Sequence, residues 1–88
     1  MTFTQALQLI ERKKNLIGSK TDKGLLIDLI LVVPTDTKLR EQFIDNLMIT
    51  RNPQQAIAPF MDSDVEVWVT NSDYLYKKGI LFHDVVKD

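Results

Sequence analysis

The chain has 88 residues, no cysteine and a formal net charge of −1. Its hydrophobic share of 44% and charged share of 26% are those of a globular protein and exclude the low-hydrophobicity, high-charge composition of a disordered segment. Without cysteine there is no disulfide, thiolate metal site or thiol nucleophile, so the fold must rest on packing, and a reducing cytoplasm is the expected compartment.

A chain this short has room for one core and buries only about 60% of the surface its unfolded form exposes, so a single domain over residues 1–88 is expected. The start, Met1-Thr2-Phe3-Thr4-Gln5, lacks the basic segment, apolar stretch and cleavage site of a secretory signal, and export is not expected. Residues 25–33 are the most apolar stretch, nine residues interrupted by Asp28; a membrane-spanning helix needs about twenty, so this run predicts core and no membrane partner. Charge is unevenly spread. Residues 1–24 carry five Lys or Arg against two Asp or Glu, and residues 62–88 carry three against six.

In chain order, Phe3, Ala6, Leu7, Ile10 and Ile17 recur at helical spacing and predict an amphipathic helix from Thr4 to about Ile17. Thr2 with Gln5 has the form of a capping box, and Gly18 is a stop signal. The polar stretch 18–24, bracketed by glycines, predicts a flexible loop. Residues 25–33 predict a buried central strand, because Ile27, Ile30, Val32 and Val33 are β-branched and Pro34 disfavours helix before it.

Thr35-Asp36-Thr37 offers helix caps, and Leu39, Phe43, Ile44, Leu47 and Met48 lie on one side of the helix predicted to end near Arg51. Asn52 as cap, Pro53 in the first turn and Gln55 predict a short helix limited by Pro59. Val65, Val67 and Val69 alternate with Glu66, Trp68 and Thr70, the period-two pattern of a strand with one apolar face. Asn71-Ser72-Asp73 reads as a turn, followed by short strands at Tyr74-Leu75-Tyr76 and around Ile80 to Val86, with a turn at Lys77-Lys78-Gly79. The predicted class is α+β: helix, strand, helix, short helix, then a three-strand antiparallel meander, with helices packed on one face of the sheet.

Few residues suggest chemistry. Asp62, Asp64 and Glu66 alternate and in an extended segment would share a side, as a hard cation prefers, but they lack the glycine and distal glutamate of a calcium loop. His83 is the only histidine and adjoins Asp84, yet neighbours on a strand face opposite ways, which weighs against a histidine–carboxylate pair. No glycine-rich phosphate loop or Gly-x-Ser-x-Gly motif occurs, so neither a nucleotide cofactor nor a hydrolase nucleophile is expected. Asp28, inside the apolar run, needs a polar partner if it is buried.

These features favour a non-enzymatic protein-interaction or regulatory domain acting through a surface patch, with no cofactor or metal and with a protein partner or self-association through sheet edges. Trp68, Tyr74 and Tyr76 are the candidate patch, since aromatic residues dominate interface energetics. The alternative is a nucleic-acid accessory protein using Arg12, Lys13, Lys14, Lys20 and Lys23, with Lys77 and Lys78 beside the tyrosines; a pI near 5.7 weighs against it. A small enzyme built on His83, Asp84 and the acids near residue 64 ranks last.

Overall fold

The computed structural model describes residues 1–78 and 83–87, in the order α1 (Phe3–Arg12), β1 (Leu29–Pro34), α2 (Thr37–Thr50), α3 (Pro53–Ile57), β2 (Val65–Thr70), α4 (Ser72–Lys78) and β3 (His83–Val86). Short 3-10 turns follow α1, at Lys14–Leu16, and α3, at Ala58–Phe60. The class is α+β, with helices against a three-stranded antiparallel sheet of order β1-β2-β3. None of the described helices is long and apolar enough to cross a membrane.

Local capping sets the helix starts. The Thr2 hydroxyl accepts from Gln5 N–H at 3.2 Å while Gln5 Oε1 accepts from Thr2 N–H at 2.9 Å, the reciprocal pair that satisfies the first free amides of α1. Asp36 accepts from Leu39 N–H at 3.1 Å to open α2, and Asn52 accepts from Gln54 and Gln55 N–H with Pro53 in the first turn of α3. These three beginnings match the sequence reading.

Three segments differ from it. First, α1 stops at Arg12, and beyond the 3-10 turn Ile17 is exposed; the buried positions of α1 are Ala6 and Leu9, while Leu7 stays half exposed. Second, the stretch expected to be a flexible loop is a closed hairpin. Gly18 N–H donates to Ile27 O and Ile27 N–H to Ser19 O, both at 2.8 Å, and Gly24 at φ 84° turns the chain between Thr21 and Leu25. Residues 25–28 belong to that hairpin, and the strand expected at the centre of the sheet begins only at Leu29 and lies at its edge, with β2 in the centre.

Third, the strand expected at Tyr74-Leu75-Tyr76 is helix α4. Asn71 Oδ1 accepts from Tyr74 N–H at 3.0 Å, and the Asp28 carboxylate, 44 residues away, accepts from Ser72 N–H at 2.7 Å and Ser72 Oγ at 2.9 Å. Asn-Ser-Asp, which fits a turn, serves here as a helix cap because a carboxylate arrives from the hairpin to join the Asn71 amide oxygen. The last expected strand is present as β3 from His83; the turn glycine Gly79 and residues 80–82 lie outside the described residues.

Directly paired residues of an antiparallel ladder share a face. One face carries Ile30, Val32, Pro34, Val65, Val67, Val69 and Val86, and the other carries Leu29, Leu31, Val33, Glu66, Trp68, Thr70, His83 and Val85. Helices α1 and α3 lie on the first, valine face, where Phe3, Leu7, Ile10 and Ile57 border Ile30 and Val32. The second face is buried over Leu31, Val33, Trp68 and Thr70, where α2 brings Arg40 onto Trp68 and Glu66, while Val85 at its β3 side is 42% exposed. The chain thus wraps the outer edge of β1 between α2 and α3, which pack together. That covers one sheet edge.

Candidate functional site

Trp68, expected on the surface, is 2% exposed. Its indole N–H donates to Glu66 Oε1 at 2.7 Å, the Arg40 guanidinium donates to the same oxygen at 3.3 Å and lies 5.0 Å from the indole centroid, and the His83 ring stacks on it at 3.6 Å. Arg40 also donates to Pro34 O and Thr35 O. A buried indole needs an acceptor for its one N–H, and Glu66 is kept there by Arg40, so this cluster ties off the polar groups around Trp68 and leaves the indole little surface in water.

The remaining aromatic candidates, Tyr74 and Tyr76, are half buried on α4. The Arg51 guanidinium sits 5.2 Å from the Tyr76 ring centroid. Burial raises the Tyr76 phenol above its ordinary 10.0, and the Arg51 charge opposes that shift. With Ser72, Asp73 and Lys77 these two residues line an open polar hollow.

The basic candidates fall in two places. Arg12, Lys13 and Lys14 stand at the end of α1, followed by the hairpin with Lys20 and Lys23, whereas Lys77 lies on α4 beside Arg51; the Lys78 side chain lies outside the described residues. Lys14 pairs with Glu11 at 2.9 Å, and Asp22 sits between Lys20 and Lys23 on the hairpin, so acids are interleaved with the lysines. The carboxylates are likewise divided. Asp64 accepts from the Met1 ammonium and the Thr35 hydroxyl, both at 2.8 Å, Glu66 belongs to the Trp68 cluster, and Asp62 is exposed. Among the described residues no three His, Asp or Glu side chains converge as metal ligands. His83 pairs with Thr70 at the far end of β2 from Asp64, a separation of about 20 Å at roughly 3.3 Å per residue, so the two ends cannot cooperate in one site. Asp28 is exposed, and its partner is the α4 cap.

The apolar concavity is elsewhere. Between α1 and α3, over the valine face, a groove of about 380 Å³ is lined by Phe3, Leu7, Ile10, Ile30, Val32 and Ile57, with Asn52, Pro53 and Gln54 completing the rim. No charged side chain lines it. Leu7, 47% exposed, stands on its wall, and Met61, 44% exposed, lies near the Phe3 end. The sequence placed Leu7 and Ile10 on one apolar stripe and α3 as a short helix limited by Pro59; what it did not show is that α3 packs beside α1 and leaves Leu7 uncovered. Comparison with protein-family models, curated proteins and solved structures yields no match.

Proposed function

We propose that this chain is a non-enzymatic protein-interaction domain that seats the apolar side of a partner segment in the groove between α1 and α3. The observation that carries this reading is the groove itself: six apolar side chains from three elements, an uncharged lining, and Leu7 left 47% exposed on its wall. Exposed apolar area of this kind is costly in a monomer and is recovered on binding, at about 25 cal/mol per Å² before the losses of association. Phe3, Leu7 and Ile10 present the spacing that a helical or extended apolar segment packs against. The lack of cysteine fits work in a reducing cytoplasm.

Panning a library of displayed peptides on the folded chain tests this. Enriched peptides are expected to carry apolar residues at helical or alternating spacing and to lose binding to Leu7→Asp. Equal binding to Leu7→Asp, or no enrichment at all, overturns the reading.

A further inference from the structure

We infer that the polar hollow between the end of α2 and α4 binds a phosphoryl group, held by Arg51 and Lys77. The case begins at the backbone. Arg51 caps α2 at φ 51° and ψ 30°, the left-handed conformation that helix ends usually give to glycine or asparagine, and its N–H donates to Leu47 O at 2.8 Å. Glycine would make the same stop with less strain, having no β-carbon to crowd the backbone. A large cationic side chain is thus kept at 51 against the preference of the backbone. Its guanidinium lies 5.2 Å from the Tyr76 ring centroid and, with Ser72, Asp73, Tyr76 and Lys77, lines one open hollow. None of these residues lines the groove between α1 and α3, so the two sites stand or fall separately.

Stacking on Tyr76 occupies the face of the guanidinium, holds the group in place and leaves its N–H edges for another partner. Among the described residues neither Arg51 nor Lys77 enters an ion pair, whereas Lys14 is taken by Glu11 and Arg40 by Glu66. Asp73, one turn before Lys77 on α4, is the single carboxylate of the lining, so two cations face one anion. Ser72 is already committed, since its N–H and Oγ donate to Asp28. Two cations arriving from two elements suit a phosphoryl group better than a carboxylate. The fork of a guanidinium takes two oxygens, and a phosphoryl group still has a third for the ammonium, while a carboxylate has none left. A chain of phosphates fits less well, because it needs a track of cations, and among the described residues Arg51 and Lys77 are the only basic groups that line the hollow.

Nuclear magnetic resonance of the ¹⁵N-labelled full chain, titrated with phenyl phosphate at fixed ionic strength, tests the inference, with benzoate and a single-stranded oligonucleotide as separate arms. The pH is held at about 7.5, above the second pKa of a monoester near 6. Amide shifts are expected at residue 51 and residues 72–77 and should saturate within about 0.1–10 mM. Arg51→Gly, which relieves the backbone and removes the guanidinium, and Lys77→Gln should each weaken binding by about tenfold, whereas Asp73→Asn should tighten it by about twofold. Lys38→Gln, which removes the same charge at the other end of α2, should change nothing. Circular dichroism checks that Arg51→Gly folds, and Lys77→Gln, at an exposed position, decides the matter if it does not. Wild-type affinity in either variant, or shifts spread equally over Lys20 and Lys23, overturns the site. Benzoate bound as tightly as phenyl phosphate overturns the phosphoryl assignment, and an oligonucleotide bound more tightly at the same amides makes the surface one for nucleic acid and overturns it too.

Discussion

The two faces of the sheet are finished in opposite ways. On the Trp68 face, α2 covers the strands and the remaining polar groups are tied off: indole to Glu66, Glu66 to Arg40, Arg40 to two backbone carbonyls. On the valine face, α1 and the short α3 leave an uncharged groove with Leu7 half in water. Polar groups tied off in a network have little left to offer a partner, whereas the apolar rim of the groove at Leu7 has surface to gain by burial, although the valines beneath it are themselves buried. The Trp68 network should therefore serve stability, and the groove rim at Leu7 recognition.

Truncation on each side is the harshest trial of that division. Trp68→Ala removes a fully buried indole and is expected to cost about 3–5 kcal/mol, against a total stability of roughly 4–13 kcal/mol for a chain this size. Leu7→Ala, at a half-exposed helical site, should cost less than about 1 kcal/mol. Urea titration followed by circular dichroism reads both; comparable losses would show that the valine face carries as much of the fold as the Trp68 face. Next in size is Glu66→Leu, which strips the acceptor from the Trp68 N–H and the anion from Arg40. An expected loss of about 2 kcal/mol, with Glu66→Gln near half of that because its carbonyl still accepts, would show that the network holds the indole. An equal loss in both variants would point to charge alone.

How much of this was legible in the sequence follows from the range of the interactions involved. The starts of α1, α2 and α3 are set within three residues, by Thr2 with Gln5, by Asp36 and by Asn52, and each was readable. Helix α4 was not, because part of its cap is Asp28 on a distant hairpin. Trp68 and Thr70 passed for an outward face, since alternation reports two sides of a strand but not whether α2 covers the second. The groove was hidden for a related reason: periodicity placed Leu7 on an apolar stripe and Pro59 made α3 short, but neither says that α3 packs beside α1 over the valine face.

Asp28→Ala sharpens that contrast between local and distant control, with a smaller effect. Losing two hydrogen bonds at the first residue of α4 should cost about 1 kcal/mol and speed amide exchange at residues 75–77 more than in α2. Uniform acceleration across all helices would mean that Asp28 acts on global stability and not on the cap.

The smallest effect is expected at the solvent-exposed tie just before β2, and pH isolates it. Asp64 accepts from the Met1 ammonium and then from the Thr35 hydroxyl, and these bonds hold its carboxyl below the ordinary value of 3.8. A carboxyl lowered in the folded state releases its proton more readily there than in the unfolded chain, so it adds stability above pH 3.8 that disappears as pH falls through the lowered value. The Asp64 side chain is 67% exposed, and solvent screens the effect and keeps it small beside the Trp68 network. The expected signature is a difference in urea midpoint between wild type and Asp64→Asn that is present at pH 6 and shrinks toward acid. A difference independent of pH would show that the side chain matters there as a hydrogen-bonding shape and not as a charge, and the tie would then belong with the local caps of the helices and not with the charged network around Trp68.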